Sequence, residues 1–313
     1  MRIKQNRMWF RKGIGLAILL VVCNQAVQAQ YNSTQIDSLN QSGFALVQQH
    51  DSSALSTIRT SLSIARQAQY SAGVASAYHN LGIYHNYRQN FDSASYYVLR
   101  GLSLAQNISD SARVFVAYNT LGSMAFMQGD YSMAEKYYQN AIGAHVSDIP
   151  IDGLGELYLN LGMVHNVRSE YAQALSCLFR GDSLLNHGGS PYIEARYKSS
   201  IAMVYMNLEA YEKAETYYRQ ALEIYSSQNK KRSVAEVYNN LGVLYDKQNN
   251  LEEALTYYQK ALMICMVENQ TSCEATCYTN IANVLTDMKQ YDKARLYIEK
   301  ALDIKKKLQD YKG

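Results

Sequence analysis

The chain has 313 residues, 48% of them hydrophobic and 18% charged, with a formal net charge of +3. That surplus belongs to the N-terminus, where Arg2, Lys4, Arg7, Arg11 and Lys12 cluster; without these five, 25 Lys plus Arg face 27 Asp plus Glu. A near-neutral remainder argues against a nucleic-acid or anionic-membrane partner, and it holds no apolar run of 18 or more residues for a membrane span.

The basic start, the apolar run Gly13 to Cys23 and the small residues of Val27-Gln28-Ala29 predict a signal peptide over residues 1–29. Cleavage after Ala29 would export the chain across a bacterial inner membrane into the periplasm. Two alternatives are an uncleaved N-terminal anchor and a lipid on Cys23, although Val22 stands where lipoprotein signals resemble one another in having Gly, Ala or Ser.

Beyond the signal the chain repeats. Stepping by 40 residues from Ala54 meets Ala94, Ala134, Ala174, Ala214, Ala254 and Ala294. Alanine makes up about one residue in ten of an average protein, so the odds against chance are on the order of ten million to one. With Ala254 counted as position 20 of its unit, position 8 is Gly82, Gly122, Gly162, Ala202, Gly242 and Ala282. Position 27 is Gly101, Ala141, Gly181, Ala221, Ala261 and Ala301, again all small. Position 4 is Tyr in five of six units (Tyr78, Tyr118, Tyr158, Tyr238, Tyr278), position 7 is Leu or Ile, and position 17 is aromatic or Leu. Spacings of 4, 7, 8, 11 and of 17, 20, 24, 27 each mark one face of a helix, so every unit holds two antiparallel helices. Polar turns such as Arg88-Gln89-Asn90 and Gln248-Asn249-Asn250 separate them, with Asn250 and Glu253 spaced for a capping box. Small columns let backbones approach while large ones fill the gaps beside them.

From about Tyr70 to Asp310 this pattern resembles the tetratricopeptide repeat family in its small residues at 8, 20 and 27, its Leu-Gly at 7 and 8 and its aromatic at 4. The period is 40 rather than the family's usual 34, and the family's closing proline is missing. The resemblance implies an all-α, right-handed superhelical solenoid of about seven helix pairs. Residues 30–69 form a degenerate N-terminal capping repeat, in which a one-residue shift returns Leu39, Gly43 and Leu46 to the packing face; residues 70–313 hold six repeats. Lys305 to Gly313 ends where the first helix of an eighth unit is due. That ending leaves two expectations: a longer protein, or self-association through the uncapped last repeat.

No residue pattern points to catalysis, a cofactor or a metal. The six histidines form no His-x-x-x-His pair, and His85 and His165 share a packing column at position 11. Recurrent glycines lie inside helices, not in a phosphate loop. Cys177, Cys265, Cys273 and Cys277 read as small packing residues; a disulfide from Cys265 to Cys273 or Cys277 is the alternative.

Function is therefore expected on the first helices, at the columns left over after packing. These carry Asn80, Asn86, Asn119, Phe126, Asn160, Asn166, Arg196, Met206, Asn239, Asn240, Asp246, Lys247 and Asn280. A row of carboxamides can satisfy the N–H and C=O groups of an extended peptide, as in the long-period members that this array resembles, while Phe126, Met127 and Met206 would add an apolar pocket. The competing reading is that the asparagines bond neighbouring units instead. The sequence points to a non-catalytic scaffold or adaptor for a protein or peptide segment. The alternative is the periplasmic sensor portion of a membrane signalling protein with a kinase or DNA-binding output.

Overall fold

The computed structural model describes residues 32–144, 151–185 and 188–310. The expected signal peptide with Cys23, and also His145, Pro150 and His187, lie outside the described residues. Fourteen helices are formed among the described residues, and no strand. They are α1 (Ser33–Gln48), α2 (Ala54–Gln67), α3 (Ser71–Tyr87), α4 (Phe91–Asn107), α5 (Ser111–Met127), α6 (Tyr131–Ile142), α7 (Ile151–Val167), α8 (Tyr171–Leu185), α9 (Pro191–Asn207), α10 (Tyr211–Ser227), α11 (Lys231–Lys247), α12 (Leu251–Val267), α13 (Thr271–Asp287) and α14 (Tyr291–Asp310). None is long and apolar enough to cross a membrane. The helices pair as α1/α2 through α13/α14, and two compact units result: α1–α6, and α7–α14.

The first and second helices of a pair are buried differently. Each second helix buries one stripe, as α4 does with Ala94, Val98, Gly101, Leu102 and Ala105. First helices after α1 are buried on more of their circumference: α3 hides Gly73, Ala75, Ala77, Tyr78, Asn80, Leu81 and Gly82, because it packs on its own partner, on the preceding second helix and on a neighbouring first helix. All seven column alanines from Ala54 to Ala294 are buried. The close approach is demanding where a ring faces a glycine. A methyl group on Gly242 would sit 2.6 Å from the Tyr258 ring, and one on Gly181 would overlap the Tyr197 hydroxyl, which donates to the Gly155 carbonyl.

Most helices are 17 residues long, and most connectors are three residues. The middle connector residue is left-handed: Gln69, Gln89, Ser109, Gly129, Ser169, Glu209, Asn229, Asn249, Asn269 and Lys289 all have positive φ. The next residue's N–H reaches back to the helix, as in Asn90 to the His85 carbonyl (3.0 Å) and Asn250 to the Tyr245 carbonyl (2.9 Å). This is the Schellman closure, and it stops the helices that run into these connectors without a proline. In the first repeat the left-handed residue is His50, one place late, and Gly43 is buried against Ile58, matching the one-residue shift. Asn90, Asp110 and Asp130 cap the following helices. The expected capping box at Asn250 does not form, since the Asn250 side chain makes no capping bond.

Candidate functional site

Each compact unit carries one open cleft of interest on its first helices. In the first unit the cleft lies among α1, α3 and α5, with a volume of about 570 Å³. Phe44, Ala75, Val116 and Ala117 supply apolar surface, and Asp37, His79 and Arg113 supply polar groups. Arg113 sits in the first turn of α5, where Asp110 caps the helix and ion-pairs with it. Its Nε donates to Ser76 Oγ at 2.9 Å, and its far nitrogen lies 4.0 Å from Asp37. Asp37 in turn accepts from the Tyr70 hydroxyl at 2.9 Å; burial, then this bond, raises the pKa of that phenol. His79 Nε2 meets Thr120 Oγ1 at 2.9 Å, and burial lowers the imidazole pKa to about 4, so at neutral pH it is an uncharged hydrogen-bonding group.

In the second unit a cleft of about 580 Å³ lies between α11 and α13. Arg232, Glu236, Asn239, Asn240, Gln270 and Thr276 line it, with Cys273 and Cys277 on the wall. Arg232 and Glu236 pair at 3.2 Å while both remain largely exposed. Cys265 and Cys273 form a disulfide, so the packing-only reading of these two residues is corrected. Cys277 stays a buried free thiol whose pKa burial pushes up to about 11.

The asparagines divide. Asn80 is buried and donates to the Asn40 carbonyl at 2.8 Å; Asn40 in turn donates to the Gly73 carbonyl and accepts from Ser61. Asn166 is buried and accepts from Asn207 at 3.0 Å, and Asn239 accepts from Asn280 at 2.8 Å. These carboxamides bond one first helix to the next, so Asn80, Asn166 and Asn280 are committed to the array, against the expectation of a ladder open to a ligand. Asn119 and Asn160 are half-buried and also engaged. Asn86 is half-buried, and its carbonyl oxygen is buried without a partner. Asn239 and Asn240 line the second cleft.

The expected apolar pocket is not formed. Met206 is buried in the core with Tyr218 and Leu241, and Phe126 packs edge-on against Tyr131 at 5.5 Å, so of the three residues Met127 alone is exposed. Arg196 pairs with Glu156 at 2.8 Å, outside both clefts. Asp246 is half-buried and its pKa is raised, by burial first and then by Asp287, while Lys247 is exposed. The sequence reading passed over Asp37, Phe44, Arg113, Val116, Arg232 and Glu236. Asp37, Arg113, Val116, Arg232 and Glu236 lie in the early turns of first helices, ahead of the packing columns that begin at position 4. Their signal was a charge or an exposed valine before the repeat's hydrophobic face starts.

Two family models described as tetratricopeptide repeat match the chain, one over residues 74–145 and 194–265 and the other over 275–308. No curated protein matches in sequence. Among solved structures, the apo form of the quorum sensor NprR from B. thuringiensis is similar at a TM-score of 0.72 and 14% identity, over 95% of this chain and 84% of that one. The Rap conjugation gene regulator of plasmid pLS20 in complex with its Phr peptide gives 0.59 and 15%, over 88% and 76%. BtubC from P. vanneervenii gives 0.59 and 23%, over 69% and 91%. At these identities the likeness speaks for the fold. Together with the matched repeats and the buried columns, it makes this chain a member of the tetratricopeptide repeat family.

Proposed function

We propose that the chain is a non-catalytic scaffold that takes an extended peptide, or a segment of a partner protein, on the first-helix face. The observation that carries the reading is the cleft among α1, α3 and α5. It combines an exposed Val116 and the Phe44 ring with an acid, a base and a neutral imidazole within one volume of about 570 Å³. Such a site has an apolar anchor and polar groups able to meet peptide N–H and C=O groups. The Rap regulator of similar fold holds a peptide, which supports the reading by analogy of fold alone.

The test is peptide selection from a random displayed library, followed by calorimetric titration of the winners. Val116→Asp and Arg113→Ala should each weaken binding about tenfold or more, equivalent to about 1.4 kcal/mol, with helicity unchanged. Selection that yields no binder, or binders indifferent to both substitutions, would overturn the proposal.

Export to the periplasm after cleavage at Ala29 belongs to the same reading, supported by the N-terminal charge and apolar run; N-terminal sequencing of the exported protein checks it. So does self-association through α14, supported by the exposure of Ile298 and Leu302.

A further inference from the structure

The turn between α12 and α13 gathers three cysteines. Cys265 lies in the last turn of α12, Cys273 in the first turn of α13, and Cys277 one turn later on the same face of that helix. Their three sulfur atoms all lie within 4.8 Å of one another. Cys265 and Cys273 are joined, with Cα atoms 5.8 Å apart, and Cys277 is the neighbouring free thiol. The fourth cysteine beyond the signal segment, Cys177, belongs to α8 and is not in the group.

A purely structural staple explains this arrangement poorly. The bridge spans only eight residues, and the chain-entropy gain shrinks with the closed loop. The connector is already closed by its backbone, since the Gln270 N–H bonds the Cys265 carbonyl at 2.8 Å, as the equivalent bond does at connectors with no cysteine. A third thiol beside a disulfide adds nothing to a staple and opens a route to exchange. Three sulfurs converging from two helices, with Cys273 and Cys277 in the wall of an open cleft, have the composition of a ligand set.

We propose that the reduced cluster of Cys265, Cys273 and Cys277 binds one thiophilic metal ion, and that the disulfide is its oxidised, metal-free form. Sulfur ligands without a hard oxygen partner select monovalent copper or zinc over calcium or magnesium. Metal–thiolate bonds of about 2.3 Å place sulfurs about 4 Å apart, which side-chain rotation reaches from the present spacing. Copper(I) is satisfied by three sulfurs, whereas zinc takes a water from the cleft as its fourth ligand.

The conversion balances with a dithiol as reductant. One reductant thiolate attacks the Cys273 sulfur, which faces the cleft, and releases the Cys265 thiolate. The second reductant thiol then closes the reductant's own disulfide and frees Cys273. Two electrons and two protons pass to the protein. Metal entry forms three metal–sulfur bonds and releases the three thiol protons to solvent.

The inference stands apart from the peptide reading, and its test needs no peptide. The full chain is reduced, freed of reductant without air, and titrated with chelator-buffered copper(I) or with zinc, reading bound metal per chain and the ultraviolet thiolate-to-metal band. One ion per reduced chain and none in the oxidised protein are expected. Cys273→Ser and Cys277→Ser should weaken binding by about 100-fold or more, beyond the loss typical of an outer-shell partner, and Cys177→Ser should leave it unchanged. Cys277→Ala, which keeps an apolar side chain in the buried site, should lose the metal while the oxidised protein melts as wild type does. X-ray absorption on the loaded wild type guards against variants that misfold: three sulfur scatterers support the site, and two or fewer overturn it. Absence of stoichiometric metal, or metal held equally well after Cys277→Ala, also overturns it.

Discussion

At the residue scale, a column tells which positions are buried but not what each side chain meets there. The rings at position 11 illustrate this: Tyr205 stacks on Tyr217, Tyr245 on Tyr257, and His85 takes the same place on Tyr97. At His165 the facing residue is Cys177, no ring is available, and the imidazole instead meets Glu170 at 2.7 Å. The shared column was legible in the sequence, and the change of partner was not. Gly181 is a sharper case. Alanine in a helix is ordinarily favoured over glycine by about 1 kcal/mol. Here the added methyl meets the fully buried Tyr197 hydroxyl, and overpacking costs about 1–3 kcal/mol. Gly181→Ala should therefore lower unfolding stability in urea by up to about 2 kcal/mol. Added to Tyr197→Ala it should cost much less than when made alone, because the colliding hydroxyl and ring edge are both gone; strict additivity in that double-mutant cycle would refute the contact. His79 yields a prediction in pH. Its folded-state pKa, about 4, lies below the ordinary imidazole value, so the unfolded chain binds the proton first as pH falls. The stability it contributes is complete above about pH 6.5 and is lost between there and about pH 4. His79→Gln should flatten the slope of stability over that window, with Asp37 and Arg113 in the same cleft left in place.

At the element scale, what the period of 40 encodes is two 17-residue helices and two three-residue stops. Helix existence and pairing were legible because small and large columns recur at helical spacing. The stopping mechanism was obscured, since a left-handed connector residue usually advertises itself as glycine, and this chain places Gln, Ser, Glu, Asn and Lys there. A left-handed conformation costs such residues about 1–2 kcal/mol, and the Schellman bonds hold them in it. The expectation follows that glycine at Glu209 or Lys289 relieves strain and raises stability by about 0.5–1 kcal/mol, after allowing for the larger backbone entropy of glycine in the unfolded chain. Parallel urea titrations of Glu209→Gly and Lys289→Gly check this, and two destabilised variants would show that the side chains themselves support the turn. By the same reasoning, Gly129→Val should be destabilising, because a β-branched residue resists positive φ.

At the scale of the whole molecule, an array of this kind is stabilised chiefly between nearest neighbours, which explains why the site was only half legible. The leftover columns on first helices were read as open to a ligand, yet neighbouring first helices meet there, and Asn80, Asn166, Asn239 and Asn280 serve that contact. The surface proposed for a partner lies in the first turns instead, where clefts open around Arg113 and Arg232. Nearest-neighbour stability also singles out α14. Position 24 is buried in the preceding repeats at Val98, Tyr138, Leu178, Tyr218 and Tyr258, whereas at Ile298 it is 45% exposed; Leu302, one turn on, is 51% exposed. A helix whose packing column is half-exposed should open most readily. Amide hydrogen exchange should therefore be fastest in α14 among the helices of the second unit, and slowest in α10–α12, which bury Tyr218, Tyr225, Leu241 and Tyr258. If Ile298 and Leu302 mediate self-association, protection of α14 should rise with protein concentration and Leu302→Glu should abolish the rise without changing exchange in α10–α12. Concentration-independent exchange would leave α14 as a frayed edge and remove self-association from the functional reading.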